Sequence, residues 1–258
     1  MKTNRFLHVL RSGGMPIGHM VMEFGTRGIA KLLEAADVDF VLYDMEHSGF
    51  DIERVFDLIA WSKACPFAPM VRVPEGKYHF LARAMDAGAL GVMVGNVETS
   101  EQARDIVAAV KYAPLGRRGV GLGTAHNDYV MPNPADYLRD SNEGSVVICQ
   151  IESALGVQNA EAIAATDGVD VLWVGHFDLS HSLGIPGQFH HELFLDSMRS
   201  VVAGSRRHGK ALGVQPGNPE MAEEWIGMGF NVISWGSDIA LYRSALQAGV
   251  KRLRERKP

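Results

Sequence analysis

Short apolar runs alternate with amphipathic segments along the whole chain. Eight runs read as strands: 18–24, 39–46, 68–73, 91–97, 146–152, 169–175, 211–215 and 232–235. Phe40-Val41-Leu42-Tyr43, Val146-Val147-Ile148-Cys149 and Val171-Leu172-Trp173-Val174 are apolar without interruption. Strands covered on both faces read this way, as in a parallel sheet. The segments between them have helical spacing. Residues 26–36 carry Ile29, Leu32 and Leu33 on one side, and 51–63 place Ile52, Val55, Phe56, Ile59 and Ala60 at i, i+3, i+4, i+7 and i+8, the stripe of a half-buried helix. Thr99 with Gln102 three residues on forms a capping-box signature that opens a helix to Tyr112. Asn218-Pro219 sets a cap residue before a proline at the first helical position of a helix to Met228. Further helices fit 156–165, 192–208 and 239–255.

Eight strand-helix units in 258 residues give about 32 residues per unit, which predicts an α/β protein with a (β/α)8 TIM barrel as a single domain over residues 1–258. One connection is long, 113–145, with Pro114, Gly116, Gly119, Gly121, Gly123, Pro132 and Pro134. It reads as a loop that serves function or touches a neighbouring chain.

Composition narrows the classes of function. Charged residues make up 21 % and apolar residues 47 %, which excludes a disordered chain. The net charge of −5 argues against nucleic-acid partners, which require clustered cations. No apolar run of about 20 residues could span a membrane. Cys65 and Cys149 sit in apolar surroundings and offer no disulfide framework, which points to a reducing, cytoplasmic compartment.

In such a barrel, reactive groups sit where strands end at their C-terminal side. The ends here read Asp44-Met45-Glu46-His47, Arg72-Val73-Pro74, Gln150-Ile151-Glu152, His176-Phe177-Asp178 and Gly236-Ser237-Asp238, and Asp86 closes the third helix before the fourth strand. Glu152 and Asp178 end adjacent strands. The pair reads equally as a partial cage for Mg²⁺ or Mn²⁺, with water or substrate completing it, or as two surface carboxylates. Arg72 could pair with a neighbouring Asp or clamp a substrate carboxylate or carbonyl. His47 could move protons near neutral pH or be a loop residue. His176 lacks the spacing of a zinc site. Gly121-Leu122-Gly123 lacks a dinucleotide context. No phosphate-binding loop, nucleophile elbow or strand-end Schiff-base lysine is present.

Together these segments resemble the HpcH/HpaI family of metal-dependent pyruvate aldolases over nearly the whole chain. The resemblance rests on residues 40–47, Val71-Arg72-Val73-Pro74, 84–88, 91–94 with 98–102, 114–119, Gln150-Ile151-Glu152, Asp178-Leu179-Ser180 with Leu183-Gly184, and Gly236-Ser237-Asp238. It implies a lyase that cleaves or forms 4-hydroxy-2-oxo acids from pyruvate (or another 2-oxo acid) and an aldehyde, through a cation-stabilised enolate. Glu152 and Asp178 would hold the divalent cation, Mg²⁺ or Mn²⁺ first, with Co²⁺ and Zn²⁺ the other candidates. Arg72 would contact the pyruvate carbonyl oxygen, and Gln150 would lie beside the keto acid. Backbone N–H groups at Phe177 and Asp178 would hold its carboxylate. His47 would manage protons at the aldol hydroxyl, oriented by Asp86. The family also implies a homo-oligomer, trimer or hexamer, with the last helix exchanged between neighbours.

The chain departs from the family at His176-Phe177, where a proline and a small residue are usual, at Met45, at Gly95-Asn96 and in the long loop. These changes bear on the aldehyde more than on the metal. The competing readings are an oxaloacetate decarboxylase or acyl-CoA lyase using the same enolate, with Arg117-Arg118 as the only basic cluster for a CoA tail, and a non-catalytic barrel module.

Overall fold

The computed structural model describes residues 2–256. The chain begins with α1 (Arg5–Arg11) and then alternates β1 (Ile17–Val21), α2 (Gly28–Ala35), β2 (Phe40–Asp44), α3 (Ile52–Ser62), β3 (Ala68–Val73), α4 (Tyr78–Ala87), β4 (Gly91–Val94) and α5 (Ser100–Val110). After α6 (Pro134–Gly144) come β5 (Val146–Ile151), α7 (Ala154–Gln158), α8 (Ala160–Ala164), β6 (Val171–Val174), α9 (His176–Ser182), α10 (Glu192–Arg207), β7 (Ala211–Val214), α11 (Pro219–Met228), β8 (Val232–Ser237) and α12 (Asp238–Arg254). The eight strands pair in parallel, each with its sequence neighbour, and β8 closes on β1. The predicted (β/α)8 barrel is present. No helix among the described residues is long and apolar enough to cross a membrane.

Side chains alternate in and out along each strand. Inward positions such as Phe40, Leu42, Met70, Ile148, Val171 and Trp173 form one core inside the barrel. Outward positions such as Val41, Tyr43, Val71, Val147 and Leu172 form a second core under the helices. Two inward glycines make room for the largest inner side chains. A Cβ at Gly213 would lie 2.7 Å from Trp173 Cζ3 and closer still to Cε3, and one at Gly18 would lie 2.5 Å from the Phe40 ring. At the N-terminal end, Phe6 of α1 packs edge-on against Phe40, with ring centroids 5.2 Å apart. The short apolar patch at 6–10 is therefore a plug for the barrel floor, capped by the Asn4 side chain.

The long connection is more ordered than its glycines and prolines suggested. Asn133 caps α6 with Pro134 in the first turn, the same device that opens α11. The buried Lys111 ammonium donates to Asn142 O (2.7 Å), Ser145 O (2.6 Å) and Ser145 Oγ (3.0 Å), joining the end of α5 to the end of α6. The segment expected as one helix over 156–165 is two, because α7 and α8 break at Asn159. In α2, Ile29 and Leu33 are buried as expected, whereas Leu32 faces solvent.

Candidate active site

Parallel pairing places Asp44 of β2 opposite Arg72 of β3. Arg72 Nε and Nη2 each donate to one Asp44 oxygen at 2.7 Å, a two-pronged clamp. Asp44 is fully buried and also accepts the backbone N–H groups of Glu46 (3.0 Å) and His47 (3.2 Å), which fixes the turn after β2. Burial acts to lower the Arg72 pKa, but the Asp44 carboxylate outweighs it and the guanidinium ends above its ordinary value. The third nitrogen, Nη1, lies 3.2 Å from Glu46 Oε2.

Gln150 and Glu152 are two residues apart, so alternation turns both to the same inner face. Gln150 Nε2 donates to Glu152 Oε2. The Asn96 N–H donates to Glu152 Oε1 at 2.6 Å, from a left-handed backbone at φ 52° that Asn tolerates better than most residues. A Cβ at Gly95 would sit 2.9 Å from both Glu152 Oε1 and Glu46 Oε1. A Cβ at Gly175 would sit 2.7 Å from Gln150 Nε2 and closer still to Glu152 Oε2. These two glycines are the walls against which the carboxylates rest.

Glu46 and Glu152 face each other across Gly95, and Asp178 acts on both through its charge. Burial raises the Glu152 pKa, and the charges of Glu46 and Asp178 add to it against the Gln150 and Asn96 donors. Burial also raises that of Glu46, with Asp44 and Asp178 adding and Arg72 and His47 opposing. Glu46 Oε2 is buried without a hydrogen bond. Repelling carboxylate oxygens fit a hard divalent cation, which favours such ligands. Among the described residues, no three His, Cys, Asp or Glu side chains are grouped to enclose an ion. A cation held here would take its remaining ligands from water or substrate.

Asp178 is solvent-exposed in the first turn of α9, where backbone N–H groups have no intrahelical acceptor. Its neighbours diverge. Phe177 is 64 % exposed. His176 is buried among Phe177, Phe189 and Trp225, with centroids 4.6, 5.0 and 5.2 Å away, and burial pushes its pKa down to about 4. It is a neutral packing residue that props the first turn of α9.

His47 stands exposed at the mouth, Nε2 4.0 Å from Glu46 Oε2. Asp86 does not join it in this chain. It occupies the last turn of α4 at the floor of the barrel, where its carboxylate accepts from Arg118 Nη2 at 2.5 Å. Arg118 is buried there too, so Arg117-Arg118 is no basic cluster at the mouth. Asp238 also has another task. Its side chain accepts the N–H groups of Met22 (3.1 Å), Glu23 (2.9 Å), Phe24 (2.7 Å) and Ile239 (2.8 Å), tying the loop after β1 to α12. Asp44 and Glu46 were visible only as the end of a strand. Their spacing of two and the Asp44–Arg72 register are the signals that place them with Arg72.

The sequence pattern of the HpcH/HpaI aldolase/citrate lyase family matches residues 26–245. The 5-keto-4-deoxy-D-glucarate aldolase of Klebsiella pneumoniae subsp. pneumoniae is 34 % identical over 217 residues, 84 % of each chain. The 2-keto-3-deoxy-L-rhamnonate aldolase of Salmonella gallinarum is 31 % identical over 248 residues, 95 % of this chain and 91 % of that one. The crystal structure of an HpcH/HpaI aldolase from Desulfitobacterium hafniense superposes with a TM-score of 0.93 at 28 % identity, over 97 % of both chains. Barrel, rim carboxylates and sequence agree: the chain belongs to the HpcH/HpaI aldolase/citrate lyase family.

Proposed function

We propose that this protein is a divalent-metal-dependent pyruvate aldolase, a carbon-carbon lyase that forms or cleaves 4-hydroxy-2-oxo acids. The observation that carries the reading is the buried Glu152, held by Asn96 and Gln150, at the rim that also carries Glu46 and the clamped Arg72. Both relatives above are named as aldolases.

Glu152 and Asp178 would hold the cation, Mg²⁺ or Mn²⁺ by donor chemistry. When bound, it supplies Lewis acidity that makes an enolate tolerable. Arg72 is fixed by Asp44 with N–H groups to spare, and these donate to the carbonyl oxygen where negative charge develops. Gln150 lies beside the keto acid, and the first-turn amides of Phe177 and Asp178 take its carboxylate. His47 moves a proton at the aldol hydroxyl. Within one chain the carboxylate beside it is Glu46, not Asp86. Phe177 presents an aromatic face at the mouth where small residues are usual, a feature of the aldehyde side.

Incubation with pyruvate and simple aldehydes tests this. Aldol product should form with Mg²⁺ or Mn²⁺ and disappear in excess EDTA. Chelator-insensitive turnover removes the metal mechanism, and CO₂ release from oxaloacetate faster than any aldol turnover makes the protein a decarboxylase.

The last helix supports a homo-oligomer. Every residue from Leu241 to Arg256 is exposed, among them Tyr242, Leu246, Val250 and Leu253 along one face of α12. A lone helix with an uncovered apolar stripe gains little from tertiary packing, so a second copy covers it. Light scattering should give a multiple of 28.1 kDa, and Leu246→Glu with Val250→Glu should reduce it. A monomer of the native chain refutes this.

A further inference from the structure

We propose that Gly95-Asn96 forms a one-residue bulge that takes a backbone N–H out of the β4–β5 ladder and gives it to Glu152, which makes Asn96 a positioning residue for the cation site. The inference deepens the metal reading of Glu152 and rests on it.

The ladder shows the extra residue. At the exit from β2, Asp44 lies opposite Arg72, and the next N–H, that of Met45, donates to Arg72 O at 2.8 Å. At the exit from β6, Val174 lies opposite Ile151, and the next N–H, that of Gly175, donates to Ile151 O at 3.1 Å. Strands β4 and β5 run in register from Gly91 opposite Val146 to Val94 opposite Cys149, and the Val146 N–H donates to Leu90 O at 3.0 Å. Continued with the same period of two, that register brings the N–H of residue 96 to Gln150 O. Val97 makes this bond instead, at 3.1 Å. One residue too many therefore lies between Val94 and Val97. Bulges of this kind gather beside active sites, where they re-aim a group.

The freed Asn96 N–H meets Glu152 Oε1 at 2.6 Å. It does so from φ 52°, a left-handed backbone open to Gly and Asn and strained for a β-branched residue. Asn96 is solvent-exposed, so backbone shape and not packing sets the residue type. Gln150 Nε2 donates to the other oxygen, Oε2. Two donors thus fix the rotation of the carboxylate, and each oxygen keeps a lone pair for a cation. A metal ligand oriented in this way by its neighbours needs no ordering when the ion arrives.

Calorimetric titration of the full chain with Mn²⁺ tests the role. Asn96→Gly keeps the left-handed backbone and its N–H, and it should bind Mn²⁺ within twofold of the native protein. Asn96→Val resists φ 52° and should bind at least tenfold more weakly, the scale of a lost partner to a metal ligand. A role in stability alone would lower the urea midpoint of Asn96→Val and leave its Mn²⁺ affinity native, which overturns the proposal. Equal weakening in Asn96→Gly and Asn96→Val also overturns it, because the side chain would then be what matters. If the native chain binds no Mn²⁺, the metal reading of Glu152 fails and the positioning role with it, whereas equal binding by all three chains removes the positioning role alone. Amide hydrogen exchange of the metal-free native chain, followed by NMR, gives a readout free of Mn²⁺. The exposed Asn96 amide should be protected at least tenfold, and Glu152→Ala should remove that protection. Unprotected exchange in the native chain, or protection that persists in Glu152→Ala, overturns the proposal.

Discussion

Glu152→Gln is expected to lower metal-dependent turnover by about a thousandfold (~4 kcal/mol in the barrier), the scale on which removal of one preorganised electrostatic group is felt. The same substitution should stabilise the metal-free protein at pH 7. Burial and the neighbouring carboxylates raise the folded-state pKa of Glu152 above its ordinary value. A group raised in this way favours folding below its unfolded pKa of about 4.3, and that contribution is lost as pH rises through the folded value. At neutral pH the raised value opposes folding, and a neutral amide of nearly the same shape removes that opposition. The Asn96 N–H keeps an oxygen to donate to, and Gln150 can turn its amide to accept. Urea midpoints in EDTA should therefore be higher for the variant at pH 7 and converge with the native protein's below about pH 4.3. A variant inactive but less stable at pH 7 would mean that Glu152 holds the fold together and is not strained by its charged neighbours.

Arg72→Ala should be the more damaging change, because it breaks two things at once. It removes the donor placed where enolate charge develops, worth about 3 to 4 kcal/mol by analogy with lost oxyanion donors. It also leaves Asp44, fully buried, without its two-pronged partner, and breaking a buried ion pair from one side costs about 3–5 kcal/mol. The two effects separate in a double substitution. Arg72→Met with Asp44→Asn removes both charges, so the urea midpoint should recover most of what the single variant lost, while turnover stays as low as in Arg72→Ala. If turnover recovered along with stability, Arg72 would serve only to neutralise Asp44.

The barrel was legible because its signal is repeated. Eight apolar runs at regular spacing leave few alternatives, and the Thr99–Gln102 box and Asn218-Pro219 cap stand where they were expected. What escaped was short or locally ambiguous. Helix α1 has seven residues, too few for a periodic stripe to emerge, and its role depends on Phe40, far along the chain. Helix α6 lies among glycines and prolines that read as loop, although Asn133-Pro134 repeats the cap seen at α11. The rim carboxylates were legible from strand ends alone, and i, i+2 spacing joins Gln150 to Glu152. The partnership of Asp44 with Arg72 depends on strand register, which no single segment encodes. The placing of Asp86 depends on tertiary contact as well. Its residue type suits a histidine's partner, but the end of α4 delivers it to Arg118. His176 ends a strand without the spacing of a zinc site, and only the aromatic side chains packed around it show why it stays neutral.

Exchange of the pyruvate methyl protons in D₂O, followed by proton NMR without any aldehyde, isolates enolate formation from every later step. Exchange should require Mg²⁺ or Mn²⁺, stop in excess EDTA and be lost in Glu152→Gln. Exchange at an undiminished rate in EDTA, or in the Glu152→Gln protein, would contradict enolate formation at a cation held by Glu152.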